Sequence, residues 1–340
     1  MKKQKVLVTG GAGFIGGNFV QYMVNKYPEY DIYNLDLLTY AGDLTKHREI
    51  EENPNYHFIQ VDIADKETII TLFAKEEFDY VVHFAAESHV DRSITNPEIF
   101  VITNVLGTQV LLEAAKEHKI TKFVHVSTDE VYGELDYDPT TFFTEETPLQ
   151  ANSPYSASKA SSDLLVRAYH ETFNLPINIT RCSNNYGPYH FPEKLIPLTI
   201  SRVVNDEKVP VYGDGKNIRD WLHVHDHCSA IDLVLHNGVN GDVYNVGGHN
   251  ERTNLEVVKT IINTLGKSEE LIEFVKDRLG HDKRYAIDPT KLEKLGWKPT
   301  YTFETGIAQT IQWYLDNKEW WEQILSGRYQ SYFEKQYKLK

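Results

Sequence analysis

Tyr155 and Lys159 stand four residues apart in a segment, 155–173, whose periodicity and content of Ala, Leu, Lys and Arg predict a helix. Side chains four apart on a helix share a face. An ammonium beside a phenol stabilises the phenolate and lowers its pKa, giving a base that can take an alcohol proton while a hydride departs. A surface Tyr–Lys pair has the same spacing, so the pair gains meaning from its companions. Thr128 follows a predicted strand, where its hydroxyl could hold the substrate oxygen. Gly10, Gly13 and Gly16, spaced GxxGxxG with Phe14 and Ile15 before the last, follow the first predicted strand and open the first predicted helix. The first glycine allows a tight turn, the second lets the backbone approach a pyrophosphate, and the third lets helix and strand pack closely. The helix start then offers N–H groups to phosphates. A glycine-rich turn without a ligand is the competing reading, and the strand–loop–helix setting counts against it. Asp36 ends the second strand about twenty residues after the last glycine, where a carboxylate bonds both ribose hydroxyls. It would repel a 2′-phosphate, so the expected cofactor is NAD and not NADP. Asp62, just before Ile63 at the end of the third strand, is placed for an adenine contact. Ala85 and Ala86, ending the fourth, are small enough for the cofactor to pass.

The elements that must position these residues alternate. Buried strands are predicted at 6–9, 32–35, 57–61, 80–83, 123–127 and 177–181, with helices at 15–26, 66–75, 104–119 and 155–173 between them. This rhythm implies βαβ units and a parallel sheet covered on both faces. After Tyr186, Pro188, Pro192 and Pro197 punctuate the chain and shorter, mixed elements follow. The expected organisation is a dinucleotide-binding domain over 1–186, with returning segments around 219–244, and a smaller ligand-binding lobe over 187–340. The 340 residues suit one large or two moderate lobes. A net charge of -14 argues against a nucleic-acid partner, which needs a broad basic surface. Cys182 and Cys228 have no ligand-like spacing and read as buried small apolar residues in a reducing compartment. The apolar run 6–8 is too short for a signal sequence, and no run is long enough to span a membrane. The cytoplasm is the expected location. His223, His225 and His227 alternate as zinc ligands on a strand face would, but nothing else in the chain completes a ligand set, so no metal is expected.

Together these features resemble the extended short-chain dehydrogenase/reductase family over essentially the whole chain. The resemblance implies an α/β fold: a Rossmann-like, doubly wound sheet of seven parallel strands with a smaller mixed C-terminal substrate lobe. Within the family, STDEVYG at 127–133, AAESHVDRS at 85–93, CSNNYGPYHFPEKLIP at 182–197 and GHD at 280–282 are similar to the nucleotide-sugar 4,6-dehydratases. The implied substrate is dTDP-glucose, and the usual destination is a deoxysugar such as L-rhamnose. The resemblance assigns Tyr155 to the C4 hydroxyl proton, Glu130 to the C5 proton and Asp129 to the departing C6 hydroxyl. Asp129 must then start protonated and Glu130 ionised; a low dielectric and mutual repulsion push Asp129 upward. By the same resemblance Leu37, Thr39, Phe84, Ser88 and Thr103 join the cofactor site. Ser88, Thr128, Asn184, Glu193, Lys194 and Leu195 line the substrate site. Arg219, whose planar fork suits two phosphate oxygens, and Asn254 are expected at the diphosphate. Pro210, Val211 and Tyr212 pack near the base, and Arg278, His281 and Asp282 close the far end. Leu279 and Lys283 depart from the family pattern, which has proline and arginine there, as do His223 and His225, where it has tyrosine and glutamate. The family pairs through two helices per subunit, here 104–119 and 155–173, which implies a homodimer. A nucleotide-sugar 4-epimerase, a dehydratase acting on GDP-mannose or CDP-glucose, and a non-catalytic NAD sensor are the rival readings.

Overall fold

Six parallel strands come first in the computed structural model, which describes residues 3–277 and 280–326. They are β1 (Gln4–Thr9), β2 (Tyr30–Asp36), β3 (Tyr56–Gln60), β4 (Tyr80–His83), β5 (Lys122–Thr128) and β6 (Ile177–Cys182). The chain then builds β7 (Asn184–Tyr186), β8 (Val209–Tyr212) and β9 (Ile218–His223) before returning as β10 (Val243–Val246). All seven strands of the main sheet are parallel, in the order β10-β6-β5-β4-β1-β2-β3. The order reverses beside β1, whose neighbours β2 and β4 carry the chain away in opposite directions. Such a reversal opens a crevice at the carboxyl ends of the strands. The inner strands β4, β5 and β6 are buried along their whole length, as strands covered on both faces must be.

The covering helices are amphipathic. On one face α1 (Phe14–Lys26) places Phe19, Val20 and Met23 in one core with Ile231, Val234 and Leu235. On the other, α2 (Lys66–Glu76), the helical run 97–117 and α6 (Pro154–Phe173) bury Ile69, Phe73, Leu111, Leu112 and Val166. That run follows a short α3 (Val90–Thr95) and consists of α4 (Pro97–Phe100), a π-helical turn Val101–Gly107 and α5 (Thr108–Glu117). It begins seven residues before the expected 104–119. It also corrects the expectation that no run is long enough to span a membrane. Pro97–Glu117 is long and apolar enough by length and composition, although half of its apolar window is buried within the protein. Thr103, Asn104, Gly107 and Gln109 interrupt the apolar sequence without making the segment polar overall. The helix start of α6 is fixed locally: Ser153 forms a capping box with Ser156, and Pro154 occupies the first turn.

The smaller lobe packs α7 (Leu195–Val204) through Ile196 and Ile200 against Val257 and Ile261 of α9 (Asn254–Thr264) and Ile307 and Ile311 of α11 (Phe303–Asp316). Beside it, β7, β9 and β11 (Glu251–Thr253) form a second sheet, and β8 pairs with β12 (Ile272–Val275). The segment that returns to the large sheet runs through α8 (Val224–Asn237) and β10; β9 stays in the smaller sheet. Leu292 of α10 (Thr290–Lys294) and Trp297 then join the large core. The final described helix is α12 (Lys318–Ser326).

One buried ion pair ties α6 to β6. Arg181 donates to Asp163 at 2.8 Å, with both side chains nearly fully buried. Burial alone would raise the Asp163 pKa, but the hydrogen bond from His125 and the Arg181 charge outweigh it and hold it at about 2. A depressed carboxyl contributes stability above its ordinary value of 3.8 and loses it as pH falls toward 2. Removing one partner strands the other charge, so Asp163→Ala is expected to destabilise the fold by about 3–5 kcal/mol. Denaturant unfolding at pH 7 checks this, and the difference from wild type should shrink between pH 4 and 2.

Candidate active site

The turn between β1 and α1 is possible only without side chains. Gly10 has a φ of +72°, and a Cβ there would sit 2.6 Å from the Ala85 nitrogen. A Cβ on Gly16 would meet the Gly10 carbonyl oxygen at 2.3 Å. Gly13, at the N-cap of α1, provides no side-chain cap, so the helix start keeps N–H groups for another acceptor. At the end of β2 the Asp36 carboxylate accepts from the Ala12 and Leu38 amides at 2.9 and 2.8 Å. Burial raises its pKa, opposed by those amides and by Lys46. Lys46, from the turn Leu44–His47, is itself buried, and its Nζ donates to the Ala12 and Gly13 carbonyls at 2.8 Å each. Burial brings its pKa down to about 8. A glycine cradle, an uncapped helix start and a carboxylate at the next strand end fit a dinucleotide, with its phosphates on α1 and its ribose at Asp36.

From this cradle a cleft of about 380 Å³ runs across the strand ends to β5 and α6. Thr128, the last residue of β5, hydrogen-bonds to the Tyr155 phenol. It also accepts from the Glu130 amide and donates to Asp129 Oδ1, both at 3.3 Å. Asp129 is only 1% exposed and its Oδ2 has no hydrogen-bond partner. Burial, then repulsion from Glu130, holds its pKa well above the usual carboxylate range despite the Arg219 charge. This is the direction expected of a carboxyl that starts protonated. Lys159 lies one turn beyond Tyr155 on α6, as its spacing requires, but its Nζ donates to the Val126 carbonyl at 2.8 Å. Burial lowers the Lys159 pKa to about 8. The Tyr155 phenol is raised well above its ordinary value by burial and by the Glu130 carboxylate, not lowered. The opposing influence is the Thr128 hydrogen bond and not Lys159; added positive charge near the phenol would favour the phenolate.

Every residue expected at the cofactor, from Gly10 to Thr103, lines this one cleft. So do Ser88, Thr128, Asn184, Glu193, Lys194 and Leu195. The remaining expectations do not converge on it. Pro210, Val211, Tyr212, Asn254, His281 and Asp282 lie off its lining. Tyr212 donates to Asp91 at 3.3 Å, His281 contacts Asp277 at 2.6 Å, and the Asp282 carboxylate accepts from Asn152 and Tyr285. Arg219 is buried and lies off this lining; it donates to the Ile218 and Asp282 carbonyls and stacks 4.1 Å over Tyr285, while its charge acts on Asp129. Arg278 and Leu279 lie outside the described residues. Lys283 is exposed, and its amide donates to Glu134 at 2.7 Å.

The three histidines do not share a strand face, because β9 ends at His223 and α8 begins at Val224. His223 stacks on Tyr301 and caps α8 by accepting from the His225 amide, while His227 bonds Asn185. Among the described residues, no three His, Cys, Asp or Glu side chains gather as a metal site. Cys182 and Cys228 are buried free thiols, and Cys182 also forms part of the cleft wall. Tyr40, Lys46 and Trp320 line the cleft too and were not anticipated. Tyr40 and Lys46 sit in a loop without a spacing signal, and Trp320 is almost three hundred residues away in sequence.

The family model of GDP-mannose 4,6 dehydratase matches residues 7–310. An Escherichia coli dTDP-glucose 4,6-dehydratase is 50% identical, the match covering 96% of this chain and 97% of that protein. The structure of the Bacillus anthracis dTDP-glucose 4,6-dehydratase in complex with NAD is 52% identical with a TM-score of 0.88, covering 94% of this chain and 99% of that one. That of a Streptomyces venezuelae dTDP-glucose 4,6-dehydratase, solved with NAD bound, is 46% identical with a TM-score of 0.91, covering 94% and 100%.

The buried Asp129 carboxyl has a measurable consequence. A carboxyl whose folded pKa is raised costs stability increasingly as pH rises above its ordinary value of 3.8. Asp129→Asn keeps the shape and removes that cost. The variant is expected to be more stable than wild type at pH 7 by about 1–3 kcal/mol, with the gap closing toward pH 4. Thermal unfolding across that range checks it, and equal pH dependence of the two proteins would contradict it.

Proposed function

The chain belongs to the dTDP-glucose 4,6-dehydratase family, and we propose that the cleft carries dTDP-glucose through oxidation at C4, loss of water across C5–C6 and reduction at C6. What supports this reading most is the buried Asp129 carboxyl, its pKa raised by that burial, bonded to Thr128, which in turn holds Tyr155. When bound, NAD supplies a hydride acceptor for C4, a hydride donor for C6 and, in its oxidised form, the positive charge that favours the Tyr155 phenolate. Tyr155 takes the proton of the C4 hydroxyl, with Thr128 holding the same oxygen and Lys159 one turn away. The C4 ketone acidifies the C5 proton, which Glu130 removes. Asp129 gives its proton to the C6 hydroxyl, which leaves as water, and C5 takes a proton back from Glu130 as C6 is reduced. Asn184, Glu193, Lys194 and Leu195 hold the sugar and its phosphates, and Ser88 meets both ligands. The product is a 4-keto-6-deoxy sugar nucleotide, a precursor suited to a deoxysugar such as dTDP-L-rhamnose. A 4-epimerase needs Thr128, Tyr155 and Lys159 but gives Asp129 and Glu130 no work. Cytoplasmic residence agrees with two buried thiols and no disulfide between them.

The assembly proposed is a homodimer. Val101, Leu106, Leu164 and Phe173 leave roughly half of their side-chain surface exposed on the run 97–117 and on α6. These are the two helices through which the family pairs. Exposed apolar side chains of this size on two neighbouring helices are what an interaction surface needs.

Three measurements check these assignments. Incubation with dTDP-glucose is expected to give a product lighter by one water without accumulation of NADH. An unchanged mass, or stoichiometric NADH, would contradict it. Glu130→Gln should lose exchange of the C5 proton with solvent by two orders of magnitude or more, on the scale of about 10²–10⁴ for general acid–base groups. For the assembly, the double variant Leu106→Glu/Leu164→Glu should sediment as a folded monomer where wild type sediments as a dimer.

A further inference from the structure

Tyr40 stands on the loop that carries the ribose-side residues Asp36, Leu37 and Thr39, yet its side chain reaches the opposite wall of the cleft. Its phenol donates to Glu193 Oε1 at 3.0 Å. The ring is held on two sides: the Arg92 guanidinium stacks 3.6 Å from its centroid and donates to the phenol oxygen, and Phe191 packs edge-on at 5.6 Å. The direction of the hydroxyl is therefore set by the fold. Glu193 is 7% exposed, and His89 Nε2 lies 3.7 Å from the same carboxylate oxygen. The last torsion of a glutamate side chain is broad, so an untethered carboxylate samples many orientations. A tether on one oxygen removes that freedom before a ligand arrives, which lowers the ordering cost of binding.

We infer that Tyr40 is a positioning residue for sugar recognition: its hydroxyl fixes the Glu193 carboxylate toward the hexose and links the cofactor's ribose loop to the sugar site. The inference rests on the nucleotide-sugar reading above. It concerns the hexose end alone, so its effect must be confined to ligands that carry the hexose. Burial pushes the Glu193 pKa upward, against Lys194 and the Tyr40 hydrogen bond. The tether therefore also favours the ionised, accepting form of the carboxylate.

Tyr40→Phe in the NAD-loaded enzyme tests this, because it keeps the ring and both of its packing partners. The expected result is a KM for dTDP-glucose raised about fivefold, the size of one modest hydrogen bond. The kcat, the bound NAD per chain and the inhibition constant of dTDP, which lacks the hexose, should each stay within about twofold. In a Glu193→Ala background, Tyr40→Phe should have no further effect on KM. An unchanged KM overturns the inference, and so does a parallel rise in the dTDP inhibition constant or a loss of NAD, either of which marks a general disturbance of the loop. Failure of the wild-type enzyme to dehydrate dTDP-glucose would instead overturn the reading of the site, and the inference with it.

Discussion

A carboxyl group taken out of water without a full counterion stays protonated, and the chemistry proposed for this chain depends on Asp129 being such a group. Its burial is a product of the whole sheet. β5 is buried along its length, so the residue that follows Thr128 enters the protein at the strand end and not at the surface. Glu130, next in the chain, adds repulsion, and Arg219, buried beneath, does not cancel it. A single environment thus gives two adjacent carboxyl groups different tasks.

The positioning works because the cradle, the acid and the phenol all lie at the carboxyl ends of neighbouring strands. Gly10 abuts Ala85 at the end of β4, and β4 pairs with β5, which ends at Thr128. Small shifts in one element are therefore transmitted to the rest through packed backbone. The loop after β2 has little regular structure, and the protein fixes it from several sides. Lys46 bonds the glycine-loop carbonyls, the Asp43 amide donates to Ala12, and Trp320 of α12 donates to the Asp43 carboxylate at 2.7 Å. These contacts suit an enzyme whose net reaction leaves its cofactor unchanged and has no need to release it.

Much of the architecture was legible because it is written in local sequence. The strands that read as β-branched runs, the GxxGxxG turn and the four-residue spacing of Tyr155 and Lys159 are each set by neighbours along the chain. What was not legible depends on partners far away. The spacing of Tyr155 and Lys159 says nothing of the Val126 carbonyl that takes the ammonium, or of the carboxylates that raise the phenol. Arg219 has the fork for a diphosphate, but Tyr285 and two backbone carbonyls hold it inside. The alternating histidines suggested one strand face because the sequence does not mark where β9 gives way to α8. Tyr40 and Trp320 reach the cleft only through tertiary packing.

Infrared difference spectroscopy of the enzyme against Asp129→Asn at pH 7 addresses the protonation state directly. The account predicts a carbonyl stretch of a neutral carboxylic acid in wild type that is missing from the variant. A wild-type spectrum showing only carboxylate bands at this position would contradict it.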